Sequence, residues 1–405
     1  MSKMKRAIEK FQIDIKMKRL DLHFKRELEN VREKSPVEVK SLDSSQLKQI
    51  NDFYNGFGFH GVDTRWHEYL YAVTGRHSVN YIPENFYHCT IEPLYTRGSV
   101  DLEDKSIMSR MLPGIRMVSN VLINTNGVFF DEHDDVLSTD EAVRYLNNLG
   151  CNLIIKPSRE TGGGMGVRLV NAGGFNTTIF GVYKKDYIIQ KCIAQHPQYK
   201  EFNPSSVNTE KIISMFFNGE VHILTSILRV GAPGSHTDTA STGKGYTVGI
   251  GLNGQLNKEG YNIYGERRTS TSSGRMFENV VLCGHDEICS QIKKAHKMLS
   301  RFGIISWDFA VDENGEPILI EYNLNYPDVM IYQMNNGPLF GDLTQTVLED
   351  VREKLKKERW YEIPKTGYAG SLQKYADVDF AKIKHSGNIP CEVWKKAGFD
   401  PAYNF

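Results

Sequence analysis

The segment from Ile304 to Asn323 constrains this chain more than any other. It reads Ile304-Ile-Ser-Trp-Asp-Phe-Ala-Val311, then Asp-Glu-Asn-Gly-Glu, then Pro317-Ile-Leu-Ile-Glu-Tyr-Asn323. Two apolar runs around an Asn-Gly pair favour an antiparallel hairpin closed by a two-residue turn. That turn pairs Glu313 with Glu316, and the same ladder sets Asp308 opposite Glu321 and Ser306 opposite Asn323. Directly opposed residues leave one face of a sheet with Cβ atoms about 5 Å apart. Asn323 shares the face of Glu321, because strand side chains alternate. Like charges opposed in this way destabilise a sheet unless something compensates them. A divalent cation does so, and an all-oxygen cluster suits Mg²⁺ or Mn²⁺. The alternative, a surface hairpin with two solvated acids, fits poorly with strands this apolar. Pro317 beside the turn is the feature able to shift the register, and a slip of one residue would undo the pairing.

A second segment carries a different chemistry. The strand Asn152-Leu-Ile-Ile-Lys156 runs into Pro157-Ser-Arg-Glu-Thr-Gly-Gly-Gly-Met-Gly166, and Val167-Arg-Leu-Val170 reads as the returning strand. Glycines at 162, 163, 164 and 166 leave many backbone N–H groups free to approach phosphates, although plain turn chemistry explains them equally well. No Gly-Lys-Ser/Thr opens a helix here, and a strand rather than a helix follows. Both the P-loop and the dinucleotide-binding readings are therefore excluded. Tyr187-Ile-Ile-Gln190 reads as a further strand, and the segment after it, through Ile193, could hold a base by main-chain hydrogen bonds.

Around these segments the chain alternates strands and helices, as in an α/β or α+β domain. Asn126-Gly127 marks a hairpin between Val118–Ile123 and Val128–Phe130. Ser138 and Glu141 form a capping box for a helix ending at Gly150. Residues 231 to 278 are rich in Gly, Ser and Thr, the composition of a lid or a disordered stretch. A helix follows over 286–302 and another over 340–358. Trp307, beside Asp308, points to the opposite face and reads as core.

Composition narrows the partners. Lys plus Arg and Asp plus Glu both number 49, so no net field favours nucleic acid. No apolar run reaches the length of a membrane span, and no signal-peptide core follows the basic start, so a cytoplasmic location is expected. The first 27 residues carry nine basic against four acidic side chains. They read either as a charged helix capping the domain or as an amphipathic helix on an anionic membrane face. The six cysteines form no C-x-x-C pair, so neither disulfides nor zinc are expected.

In order, a lysine, a lysine with a Gly-rich hairpin, a base-holding strand and an Asp…Glu-x-Asn hairpin resemble the ATP-grasp superfamily. The closer likeness is to its sugar-transfer-associated branch, related to alpha-L-glutamate ligases. The resemblance covers roughly residues 45 to 350. It implies an α+β fold in which two subdomains sandwich ATP, preceded by a helical N-terminal extension. The units would be a basic helical segment (1–44), a helical or irregular region (45–112), the ATP-grasp domain (113–350) and a C-terminal extension (351–405).

By the same resemblance, Asp308, Glu321 and Asn323 would ligate Mg²⁺ or Mn²⁺. Lys105, Lys156, Gly162, Gly163, Gly164, Gly166, Gln190 and Ile193 would contact ATP, and Arg229 and Lys211 would serve catalysis. Three departures stand out. Lys191 follows the base-holding strand where an acid is common, and Lys211 stands where the branch usually has Arg. Ser306 stands two residues before the first metal carboxylate, where D-alanine–D-alanine ligase has an Arg. The implied activity is ATP-dependent joining of a carboxylate to an amine through an acyl phosphate. A sugar or uronic acid of a bacterial surface polysaccharide would be the substrate, with peripheral contact to the inner membrane face or to glycosyltransferases. A phosphotransferase acting on a sugar hydroxyl and a non-catalytic nucleotide- or sugar-binding protein are the alternatives.

Overall fold

The computed structural model describes residues 3–96, 100–159, 166–235, 244–325 and 327–357. It opens with one long helix, Lys3–Lys34, which stops before Ser35-Pro36. Leu20, Phe24, Leu28 and Val31 of this helix are buried, a spacing that draws one narrow apolar stripe along it. They pack with the helices Ser44–Gly56 and Arg65–Thr74 in a core rich in Tyr that also holds Trp66. No helix among the described residues is long and apolar enough to cross a membrane.

Two antiparallel sheets carry the rest. The first consists of β1 (Asn120–Thr125), β2 (Val128–Asp131), β3 (Val136–Leu137), β4 (Leu153–Pro157), β5 (Arg168–Val170) and β6 (Tyr187–Lys191), in the order β3-β2-β1-β6-β4-β5. Asn126 and Gly127 both adopt positive φ, 53° and 90°, the torsions that a two-residue hairpin turn requires. Ser138 Oγ accepts from the Glu141 N–H at 3.3 Å, and Glu141 accepts in return from the Ser138 N–H at 2.8 Å. This box starts the helix Thr139–Asn148, which packs on the sheet through Ala142 and Leu146.

The second sheet consists of β7 (Thr209–Phe217), β8 (Glu220–Val230), β9 (Tyr246–Ile250), β10 (Leu256–Tyr261), β11 (Arg267–Arg268), β12 (Ile304–Val311) and β13 (Pro317–Asn323). Its order is β11-β10-β9-β8-β7-β12-β13. The helix His285–Met298 covers one face, burying Ile288 and Ile292 with Trp307, Phe309 and Leu228. The helix Val329–Asn336 and the N-terminal helices cover the other, against Ile213, Met215 and Ile227.

Within the Gly/Ser/Thr-rich stretch 231–278, expected to be a lid or disordered, the described residues supply β9, β10 and β11, and residues 236–243 lie outside the described residues. Every residue of Tyr246–Ile250 is buried. A strand covered on both faces lacks the polar–apolar alternation that marks a strand in a sequence.

Candidate functional site

The carboxylate hairpin forms, but its turn is not the one expected. Asp312 N–H donates to Glu316 O at 2.9 Å, and Gly315 N–H donates to Asp312 O at 2.9 Å. The loop therefore holds three residues, not two. Gly315 alone takes positive φ, at 87°, and Asn314 does not. Asp312 Oδ1 accepts from the N–H groups of Asn314 and Glu316, both at 2.9 Å, which favours the three-residue loop over the Asn-Gly turn. Val311 consequently faces Pro317, and Phe309 faces Leu319.

A bulge between Asp308 and Phe309 then shifts the ladder by one, leaving Ile320 without a partner across it. Leu319 and Tyr322, three apart, consequently reach the same core. Beyond the bulge Asp308 faces Glu321 and Ser306 faces Asn323. The pairing read from the sequence thus arises from two irregularities that cancel.

Cations converge on this pair. Lys211 lies directly across β7 from Asp308, with Nζ 2.8 and 3.1 Å from the two carboxylate oxygens. Lys105 Nζ lies 3.3 Å from Glu321 Oε2. The Lys105 backbone is held by the first sheet: its N–H donates to Ser158 O at 2.9 Å, and its carbonyl accepts from Asn120 Nδ2 at 3.2 Å. Lys156, the lysine of β4, is buried. Burial pushes its pKa down to about 8 against the pull of Glu321. Burial would raise Glu321, but Lys105, Lys156 and Lys211 outweigh it and hold its carboxyl at about 2. Burial raises Asp308, with Lys211 opposing and Glu321 adding to the rise. Two carboxylates on one face, one held ionised by three lysines and the other drawn towards neutrality by burial, together with Asn323 on that face, form an oxygen donor set that fits Mg²⁺ or Mn²⁺.

Arg229 leaves β8 on the same face as Lys211, two residues along the ladder, and its charge acts on Asp308. Gly166 adopts φ +74°, and a Cβ there would lie 2.9 Å from the Pro157 ring. Only glycine fits that end of the loop. Gly162, Gly163 and Gly164 lie outside the described residues.

Gln190 is buried in β6, an interior strand, and its Nε2 donates to Asn120 Oδ1 at 2.8 Å. Strand neighbours take up the β6 backbone as far as Gln190 on the β1 side and Lys191 on the β4 side. Free main-chain groups therefore begin after it, at Cys192 and the half-buried Ile193. The chain then docks on the tip of the carboxylate hairpin, where Glu313 N–H donates to Ala194 O at 2.8 Å and His196 N–H to Val311 O at 2.9 Å.

Sequence reasoning missed Glu103. Its Oε1 accepts from the N–H groups of Leu324 and Asn325 at 2.6 and 3.0 Å, pinning the chain just after Asn323. Burial lifts Glu103 to about 7, against those two N–H groups and Lys105. Glu103 was visible in Leu102-Glu-Asp-Lys105, but its targets 221 and 222 residues away were not.

Residues 175–348 match the family described as sugar-transfer associated ATP-grasp, and the two antiparallel sheets with their covering helices make an α+β architecture. Similar solved structures include the ATP-grasp ligase PsnB with minimal precursor, 12% identical with a TM-score of 0.35 over 61% of this chain and 60% of that one. The D-alanine-D-alanine ligase from Coxiella burnetii is 14% identical with a TM-score of 0.36, over 64% and 61% of the two chains. The ADP complex of N5-carboxyaminoimidazole ribonucleotide synthetase is 9% identical with a TM-score of 0.34, over 56% and 45%. These matches span less than two thirds of the length of each of those chains. No curated protein matches the sequence.

Proposed function

Taking residues 175–348 as a sugar-transfer associated ATP-grasp segment, we propose that this chain is an ATP- and Mg²⁺-dependent carboxylate–amine ligase. Its setting would be the modification of a sugar-derived component of a surface polysaccharide. One observation carries the reading: Lys105, Lys156 and Lys211 converge on the cross-strand pair Asp308 and Glu321.

Asp308, Glu321 and Asn323 would hold the divalent ion, which supplies charge neutralisation at the transferring phosphoryl group. Lys105 and Lys156 place point charges where phosphate oxygens would lie, and Gly166 opens the close approach of backbone to them. A substrate carboxylate attacks the γ-phosphorus, the bond to ADP breaks, and an acyl phosphate forms. An amine then forms the C–N bond while phosphate leaves with the electron pair and the amine proton passes to solvent. No protein nucleophile takes part, so positioning and electrostatics carry the rate. Lys211 and Arg229, on one face of the sheet, are placed to offset the charge of the tetrahedral intermediate.

Titration calorimetry of ATP with Mg²⁺ tests the site, on the wild type and on Glu321→Gln. Metal-dependent binding that the substitution weakens at least tenfold supports it. Equal binding with and without Mg²⁺, or equal binding by the variant, sinks it.

A further inference from the structure

Besides its buried stripe, the first helix carries a second apolar face. The buried stripe docks it firmly: Leu20, Phe24, Leu28 and Val31 are in the core, and Met17 packs beside them. On the same side Asp21 Oδ1 accepts from Asn85 Nδ2 at 2.7 Å, and Phe24 stacks on His88 with ring centroids 4.5 Å apart. Which face turns outward is therefore fixed.

An α-helix turns about 100° per residue, so Leu22 leaves on the side away from Leu20, and it is 48% exposed. Counting back from it, positions Ile15, Phe11, Ile8 and Met4 follow at intervals of seven, four, three and four residues. That is the spacing of one helix face.

Charge on this face has one sign from Lys3 to Glu27. Lys18, Arg19 and Arg26 lie within about 60° of Leu22, and all three are exposed. Lys25, at the edge, is taken by Asp21 at 2.7 Å. The four acids of the first 27 residues point elsewhere by the same count. Asp14 and Asp21 stand about 80° and 100° from Leu22, and Glu9 and Glu27 about 140°. Acids reach the face only at Glu29 and Glu33, beyond the apolar stripe, and Arg65 pairs with Glu29.

A face that meets only water has no need to align five large apolar positions. This one asks for a partner that is apolar in one layer and anionic in the next. A second copy of the chain supplies the first alone, because symmetric pairing through this face sets Lys18, Arg19 and Arg26 against the same cations. An anionic lipid surface supplies both. Apolar side chains enter its acyl boundary while lysine and arginine heads rise to the phosphates.

We propose that the outward face of the helix Lys3–Lys34 docks on an anionic phospholipid surface. The helix then caps the domain with one face and holds it beside the membrane with the other. Docking of this kind is independent of the ligase chemistry.

Co-sedimentation tests it, with the full chain and vesicles of phosphatidylcholine alone or mixed equally with phosphatidylglycerol. Partitioning onto the mixed vesicles is expected to exceed that onto the neutral ones at least tenfold, and to fall as added salt screens the charges. Leu22→Glu and, separately, Lys18→Glu should each lower it at least fivefold. Both side chains are exposed, so both variants keep the fold. Absence of binding to the mixed vesicles, equal binding to both kinds, or variants that partition like the wild type overturn the proposal. Sedimentation equilibrium addresses the other occupant. A dimer that Leu22→Glu dissolves, in a chain that ignores vesicles, gives the face to a second copy and overturns the proposal as well.

Discussion

Lys211 and Asp308 face each other across the β7–β12 ladder, with Nζ 2.8 and 3.1 Å from the two carboxylate oxygens. Glu321 faces Asp308 from the other side. The row across β7, β12 and β13 thus runs cation, anion, anion, and Lys211 joins Lys105 and Lys156 in compensating the acid pair.

Lys211→Met removes that cation and should cost about 3 kcal/mol, the scale of breaking one partner from a buried pair. Urea denaturation reads the loss as a lower midpoint. Millimolar Mg²⁺ should restore part of it, since a divalent ion takes over the compensation. A variant whose midpoint ignores Mg²⁺ would show that the acids do not form a cation site.

On the opposite face, Ser214 Oγ accepts from Trp307 Nε1 at 2.7 Å and lies 2.7 Å from His296 Nδ1. His296 Nε2 lies 2.7 Å from Phe302 O. A proton on Nε2 satisfies that carbonyl and leaves Nδ1 to accept from the serine hydroxyl. Ser214→Ala orphans both ring nitrogens facing it and should destabilise the fold by about 1–3 kcal/mol. The same urea midpoint measures it, and no loss would contradict the network.

His88 is fully buried between Glu92, 2.8 Å from Nδ1, and Glu84, 3.2 Å from Nε2, and stacks on Phe24 of the first helix. Burial would lower its pKa, but the two carboxylates outweigh that and raise it to about 9. The folded value exceeds the unfolded one, so the stabilisation is complete below about 6.5 and fades as pH rises through 9. Thermal unfolding from pH 6 to 10 should show wild-type stability falling more steeply than that of His88→Gln. Parallel curves would remove the charged imidazole.

The turn offers its own check. Gly315→Ala forces a side chain into φ +87° and should cost about 1–2 kcal/mol. Asn314→Ala should stay within about 0.5 kcal/mol, because Asn314 keeps ordinary torsions and its N–H bond to Asp312. Equal losses at both positions would restore the two-residue turn.

Legibility followed the range of the interactions. The Asn126-Gly127 hairpin, the Ser138–Glu141 box and the stop at Ser35-Pro36 are local, and the sequence shows them. Asp308 and Glu321 were legible as a pair, although the local turn rule that placed them named the wrong loop. Glu103 was not, because its partners lie across the fold and nothing near it in the chain marks a target. The strand Tyr246–Ile250 was hidden for a different reason: buried on both faces, it carries no polar alternation.

The bulge at Ile320 separates the acids from the choice of turn at the tip of the hairpin. A three-residue loop closing on Asp312 and Glu316 with the bulge, and a two-residue Asn314-Gly315 turn closing on Glu313 and Glu316 without it, both leave Asp308 facing Glu321. What the turn decides is the partner of Phe309, Leu319 in the one case and Ile320 in the other, so variation at the exposed tip is felt in core packing before it reaches the site.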